Sequence, residues 1–276
     1  MKTGSLGDRM KWYERQFAKD LMPLIPICAR MDGRAFHTFT KGLGRPYDQR
    51  LTALMVATTK YLVESTGAVV GYVQSDEISL VWYVEDFDSE VFFGGDHSKM
   101  VSILASKTSN YFNKKLAQYM PEKAEQYADR DDSPEFDARV WSVPTQWEAT
   151  NYLIWREQDA TRNSITMAAQ AFYSHNELHK KSSSEKHEML YKKGVNWNDY
   201  PDGFKRGTYV QKRTVERPFT VQEIDKLPAK HAARTHTALT VKRQEVAIRS
   251  LPPLAKVVNR SEVIFDGAEP QLKGLE

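Results

Sequence analysis

Asp32-Gly33 and Ser75-Asp76-Glu77 are the places in this 276-residue chain where residue type and spacing suit chemistry. An apolar run precedes each: Ile25 to Met31 before the first, Ala68 to Val73 before the second, with Ile78 to Val84 following. Read as strands, these runs put one carboxylate at a strand end and two in a hairpin turn. Mg²⁺ takes hard oxygen ligands and keeps water and phosphate oxygens in its shell. If strand end and turn are neighbours, Asp32 and Asp76 share two Mg²⁺ ions, with the Gly33 carbonyl as a third protein ligand, as nucleotidyl transfer requires. Glycine at 33 allows close backbone approach to a phosphate. The amides of Gly33, Arg34, Ala35, Phe36 and His37 then face a triphosphate as turn backbones do, and Arg30, Arg34, Arg45 and Lys99 add positive charge. Asp-Gly and Ser-Asp-Glu are also ordinary turn sequences. Two carboxylate turns do not by themselves separate a polymerase from a nucleotide cyclase.

The elements that must position these groups follow from periodicity. Leu6–Leu21 reads as an amphipathic helix on Met10, Tyr13, Phe17 and Leu21. Leu24–Met31 is a buried strand, and Arg34–Tyr47, with Gly42, Gly44 and Pro46, a loop. A helix over 48–64, two strands around a tight turn, a long helix over 97–119, an acidic loop and a strand over 138–143 complete a β-α-β-β-α-β order. That is the ferredoxin-like α+β unit of polymerase palms and nucleotide cyclases, and it brings the end of the first strand beside the hairpin. A long helix over 145–173 and a shorter one over 183–191 form a helical extension. Beyond it come an ordered loop to Phe204, a short strand over 207–212 and a weakly specified tail with a helix around 238–248. The expected division is a palm-like catalytic domain (1–144), a helical extension (145–214) and a basic tail (215–276).

Composition narrows the function classes. Hydrophobic residues make up 41% of the chain, enough for a real core. Lys205–Arg249 holds eleven Lys/Arg against four Asp/Glu, so this part carries +7 of a net +3 and is where a polyanion would dock. Glu122–Asp137, with seven acids and two bases, reads as a solvated face. The lone Cys28 sits in the first apolar run and reads as a buried, inert thiol. No apolar run approaches the roughly 18 residues of a membrane span, and the first residues lack a signal-peptide core, so the expectation is a soluble cytoplasmic protein. Phosphate-loop, Gly-x-Ser-x-Gly, Cys-x-x-Cys and His-Glu-x-x-His motifs are absent. His175 and His179, four apart, read as surface residues.

Several ordered segments resemble the tRNA(His) guanylyltransferase family. Arg30-Met31-Asp32-Gly33-Arg34-Ala35-Phe36-His37-Thr38-Phe39 is similar to its first motif, and Arg45-Pro46-Tyr47-Asp48 stands where it has Lys-Pro-Asn-Asp. Tyr72-Val73-Gln74-Ser75-Asp76-Glu77-Ile78-Ser79 is similar to its hairpin motif. Phe136-Asp137-Ala138-Arg139-Val140, Tyr152–Asp159 and Lys205-Arg206-Gly207-Thr208 resemble later segments, so the likeness spans roughly residues 7 to 212. It implies nucleotide addition to the 5′ end of tRNA in the 3′-to-5′ direction. ATP or GTP activates a 5′-monophosphate, and two Mg²⁺ ions serve the transfer. By position, Asp32, Gly33 and Asp76 take the metal role, with Glu77 as supporting carboxylate. Phe36, His37, Arg45, Asp48 and Ser75 fall on the activating nucleotide, and Arg30 and Lys99 on a second triphosphate. RNA contact is assigned to Arg139, Arg156, Asn163, Lys205 and Arg206. A homotetramer is implied. Eukaryotic members carry His-Ile-Asn-Asn-Leu-Tyr-Asn where this chain has Thr161–Met167, sharing only Asn163. The resemblance therefore points to the bacterial, archaeal and phage relatives, which repair 5′-truncated tRNA by Watson–Crick templating. Addition of a single G to tRNA(His), and a non-catalytic RNA-binding palm, are the alternatives.

Overall fold

The computed structural model describes residues 5–236 and 238–274. Six strands form one antiparallel sheet: β1 (Ile27–Gly33), β2 (Val70–Gln74), β3 (Glu77–Trp82), β4 (Phe136–Ser142), β5 (Thr208–Pro218) and β6 (Thr240–Arg249). Their spatial order is β4-β1-β3-β2-β5-β6. The helices are α1 (Leu6–Glu14), α2 (Phe36–Phe39), α3 (Gln49–Thr66), α4 (His97–Tyr119), α5 (Pro121–Ala128) and α6 (Gln146–Gln170), then α7 (His175–Leu178), α8 (Ser183–Lys192), α9 (Asp202–Arg206), α10 (Val221–Lys226) and α11 (Arg260–Phe265). The first four strands with α3 and α4 are the expected ferredoxin-like unit, and β5 and β6 extend it past β2. Among the described residues no helix is long and apolar enough to cross a membrane.

Side-chain oxygens set the helix starts near the strand ends. Asp48 caps α3, Asp96 caps α4 and Thr145 caps α6, each accepting from a backbone N–H of the first turn. α3 and α4 cover one sheet face, with Leu54, Met55, Leu62, Leu104 and Phe112 packed on Ala29, Met31, Ile78 and Leu80. α6 and α11 cover the other, with Leu153, Val263 and Ile264 against Cys28, Val70, Tyr72 and Val81. Covering both faces leaves every residue of β2 and β3 buried, which is why these strands read as apolar runs rather than alternations. Cys28 is fully buried, and burial pushes its thiol up to about 12, so it is inert at neutral pH.

Four expectations are corrected. α1 ends at Glu14 and is followed by a 3₁₀ turn, Arg15–Phe17; its Leu6, Met10, Trp12 and Tyr13 are exposed among the described residues rather than buried on one side. The acidic loop contains α5, opened by Pro121 at its first position. The loop expected over Arg34–Tyr47 contains the single helical turn α2, held in the core by Phe36 and Phe39. The helix expected around Ala238–Ile248 is strand β6, which pairs with β5 from Tyr209↔Arg249 to Pro218↔Thr240. There, the β5 edge outcompetes a weak helical preference.

Two buried acids tie α6 to its surroundings. Arg156 donates from Nε to Glu77 Oε1 at 2.6 Å and from Nη2 to Glu77 Oε2 at 2.7 Å, with both side chains almost wholly buried. Glu157 accepts from the Leu254 N–H at 3.1 Å, and burial raises its carboxyl from the ordinary 4.5 to about 7. The folded protein therefore holds a proton that the unfolded chain releases. The stability this confers is full below pH 4.5 and is lost as pH rises to about 7. Thermal or urea unfolding from pH 5 to 8 should show a loss of up to roughly 3 kcal/mol in the parent and a much smaller one in Glu157→Gln. Arg156→Ala should cost about 3–5 kcal/mol, because it leaves the Glu77 carboxylate buried and unpaired. The double change Glu77→Gln/Arg156→Met should cost less, as measured by denaturant titration.

Candidate active site

The site lies where β1 ends, the β2–β3 hairpin turns and β4 begins. In register, Asp32 opposes Glu77 on β3 and Asp137 on β4. One residue further, the Gly33 N–H donates to the Asp76 carbonyl at 3.1 Å, so the strand end and the turn are joined directly. Ser75 takes a left-handed conformation (φ +48°) to close the two-residue turn. Gly33 has no room for a side chain, since a Cβ there would fall within the Phe36 ring. That ring is locked among Phe39, Phe112 and Phe136 at centroid distances of 5.0–5.5 Å.

The electrostatics suit a cation. Asp76 is raised above the usual carboxylate range, first by burial and then by the negative charges of Asp32 and Glu77. Among the described residues no Lys, Arg or His forms an ion pair with Asp32 or Asp76; Arg156 and the more distant Arg30 serve Glu77 instead. Nor do three or more His, Cys, Asp or Glu side chains gather closely enough among them to hold a metal alone. The donor set thus fits a hard divalent ion that draws its remaining ligands from the Gly33 carbonyl, water and substrate phosphate. It does not fit a closed structural metal site.

Past the sheet, α6 continues outward and forms one wall of a cavity of about 790 Å³. Ala160, Asn163, Ser164, Met167 and Gln170 line it, together with the Thr40–Asp48 loop, Leu51, Thr52, Met55 and Val56 of α3, and Gln74-Ser75-Asp76 of the hairpin. Phe36, His37, Arg45, Asp48 and Ser75 all line it together with Asp76, so the structure gathers the residues expected around one nucleotide. The amide cradle is shorter than expected. The Gly33 N–H is taken by Asp76, and the Arg34 N–H by the Glu135 carbonyl at 2.9 Å. Ala35, left-handed at φ +52°, opens the turn of α2, and its own amide and those of Phe36 and His37 precede the first hydrogen bond of that turn, Thr38 N–H to the Ala35 carbonyl.

Other expected residues are placed elsewhere. Arg34 pairs with Glu135 at 2.8 Å on the surface. Arg30 stands beside Arg139 across the β1–β4 ladder, with its Nε buried, 4.0 Å from Glu77 Oε2 and without a hydrogen bond. Arg139 is exposed, 3.7 Å from Asp137. Lys99 sits in the first turn of α4, paired with Asp96 at 3.4 Å, whereas the part of α4 that reaches β4's Phe136 end is Ser109–Asn113. Arg156 and Lys205, assigned to RNA, are buried. Arg156 is held by Glu77 and Asp159, and Lys205 donates to the Asn198 carbonyl at 2.6 Å beneath the Trp197 ring. Arg206 pairs with Asp202. Sequence reasoning missed Asp137, Met167, Gln170 and the Tyr47–Phe204 stack at 4.6 Å. The helical spacing of Ala160, Ser164 and Met167 marked a shared face, with nothing to say that the face borders a cavity.

Comparison with known proteins agrees with this geometry. The tRNAHis guanylyltransferase (Thg1) family matches residues 7–144. A bacterial tRNA(His) guanylyltransferase (Thg1)-like protein solved in complex with ATP superposes with a TM-score of 0.69 at 37% identity, over 76% of this chain and 87% of that one. One solved with GTP gives 0.68 at 30% identity, over 91% and 94%. The tRNA(His) guanylyltransferase of Saccharomyces cerevisiae is 28% identical over 218 residues, 73% of this chain and 89% of its own. With paired carboxylates, an open nucleotide-sized cavity and these relatives, the chain belongs to the tRNA(His) guanylyltransferase family of nucleotidyltransferases.

Proposed function

We propose that this protein adds nucleotides to the 5′ end of tRNA in the 3′-to-5′ direction under the direction of a template. The observation that carries the reading is the direct joining of the Asp32-Gly33 strand end to the turn whose Asp76 lines the cavity. In structural comparison the bacterial Thg1-like protein solved with ATP is 37% identical and the Saccharomyces cerevisiae enzyme 26%, which supports templated repair over single-G addition. In the first step an oxygen of the RNA 5′-monophosphate attacks the α-phosphorus of ATP or GTP and pyrophosphate leaves. In the second, the 3′-hydroxyl of the incoming nucleotide attacks the activated 5′ phosphorus and the nucleoside monophosphate leaves. Asp32 and Asp76, with the Gly33 carbonyl, would hold two Mg²⁺ ions. Bound there, the ions supply charge neutralisation and a more acidic attacking hydroxyl.

The remaining work falls to the chain's own side chains. The amides of Ala35, Phe36 and His37 orient the triphosphate of the activating nucleotide, and Arg45 adds charge at the cavity wall. Glu77 holds Arg156, and through it α6, so it positions the inner end of the site. Arg30 and Arg139 present positive charge to the RNA end beside Asp32. The exposed Leu6, Met10, Trp12 and Tyr13 support assembly of several copies, a homotetramer on the family likeness.

A tRNA lacking its first nucleotide, offered with Mg²⁺, ATP and each nucleotide in turn, should be extended only by the nucleotide complementary to the template. Extension by G whatever the template would establish the single-G reading. Inactivity even on a 5′-triphosphorylated RNA would leave an RNA-binding palm. Asp76→Asn should keep the fold, shown by an unchanged or raised melting temperature, and lose roughly a hundredfold or more in transfer rate.

A further inference from the structure

The carboxylate corner has two flanks. One is the cavity, bordered by Asp76. The other is the sheet face around Asp32. Alternate residues of β1 and their partners on β4 share that face, so Arg30, Arg139 and Asp137 lie beside Asp32. α6 crosses the same face, and three contacts fix where. The Tyr152 hydroxyl shares a hydrogen bond with Ser79 at 2.7 Å, the Tyr152 ring meets Trp141 edge-on at 5.0 Å, and Arg156 holds Glu77. Glu157 turns toward the other edge of the helix, where it meets Leu254, and Leu153 packs with Leu254 and Tyr209 of β5. A helix turns about 100° per residue. Trp155 is one step from Arg156 in the opposite sense to Glu157, which puts it on the flank of β1 and β4.

Trp155 is 50% exposed. The Arg156 guanidinium lies over its ring, 4.4 Å from the centroid, and is itself immobilised by Glu77 and Asp159. One ring face is therefore covered by a fixed cation, and the exposed half of the residue offers the other face. A lone exposed tryptophan is ordinary. This one is held in place before any ligand arrives, so stacking on it costs little side-chain entropy. It also stands between exposed cations. Arg139 lies on the strand face beside it, and Arg162 lies two turns further along the same edge of α6. Cations that meet phosphates, interleaved with an aromatic ring that takes a base, are the pattern of single-stranded nucleic-acid binding.

Resting on the reading that this corner transfers nucleotides to an RNA end, we propose that Trp155 is a stacking platform for a nucleobase at the reacting end, supplied by the RNA strand or by the incoming nucleotide. Stacking accepts every base, because every base has a π face. The platform holds the base in plane and leaves its choice to pairing. Trp147 is the internal comparison. It is also a half-exposed tryptophan of α6 with an arginine, Arg260, over its ring. It lies at the start of the helix, just after Ser142, which pairs with Ile27 at the far end of β1 from Asp32.

The test uses the full chain and a 5′-triphosphorylated, 5′-truncated tRNA, with kcat and KM measured for the RNA and for the incoming nucleotide. Trp155→Ala should raise one of the two KM values by roughly five- to a hundredfold. Trp155→Phe should keep most of the parent's affinity. Trp155→Leu, with apolar bulk and no ring, should match Trp155→Ala, and this pair carries the test if Trp155→Ala melts below assay temperature. Trp147→Ala should match the parent. Abasic nucleotides placed one at a time along the acceptor end identify the source. If the strand supplies the base, one abasic position weakens the parent and leaves it no better than Trp155→Ala. If the incoming nucleotide supplies it, no abasic position closes the gap and the nucleotide KM carries the loss. Unchanged kinetics in Trp155→Ala, equal losses in the Phe and Leu variants, or a changed mass of the assembly in Trp155→Ala overturns the inference. A parent that extends RNA as well as its Trp155 variants do refutes the platform alone, and a parent that extends no RNA refutes the proposed function.

Discussion

The backbone hydrogen bond from the Gly33 N–H to the Asp76 carbonyl is the contact on which the site depends. It continues the β1–β3 ladder one step beyond Asp32↔Glu77 and so converts a strand end and a hairpin turn into a single carboxylate-bearing corner. Its geometry leaves no freedom at three residues. Gly33 must lack a side chain because Phe36 packs over it, Ser75 must turn left-handed, and Asp76 must sit partly buried beside Asp32. Two neighbouring acids, one of them desolvated, repel each other. The corner is tolerable because the surrounding ladder pairs and the phenylalanine cluster hold it.

The helix that completes the site is held by a second costly feature, the buried Glu77–Arg156 pair. Desolvating two charges offsets most of their attraction, so the pair adds little net stability. Its effect is positional. It pins α6 at Arg156, where the sheet ends, and the helix then projects its Asn163 and Met167 face over open space rather than over a strand. The same helix is braced on its far side by Glu157 and by packing of Ile165, Ala168 and Ala169 against Leu190 and Trp197. A cavity survives at the centre because both walls are supported from outside.

Much of the fold was legible in the chain because local signals agreed with the tertiary outcome. The runs read as strands over 24–31, 68–74 and 78–84 overlap β1, β2 and β3, and the helices read from 48, 97 and 145 begin within a residue of the starts of α3, α4 and α6. Errors fell where a distant partner decides. Residues 240–249 carry no strong helical or strand signal of their own and became a strand because β5 offered ten residues of free edge. α1 shows helical spacing of apolar residues, yet among the described residues Leu6, Met10, Trp12 and Tyr13 stay exposed.

The site divides along the same line. Residue identity alone determined that Asp32 and Asp76 sit beside turns, that Gly33 is small, and that the motifs follow a nucleotidyl-transfer order, since these are properties of short segments. Whether a charged side chain faces solvent, a partner or the core is a matter of what the folded chain brings against it. Arg156 and Lys205 read as RNA contacts in sequence, and the structure uses them as buried ties to Glu77 and to the Asn198 carbonyl. Asp48 reads as a nucleotide contact, and the structure saturates it with Arg50 and Gly44. Hydrogen-bonding capacity is finite and is allotted only once distant groups meet, so the tertiary structure decides which polar residues remain available to a substrate.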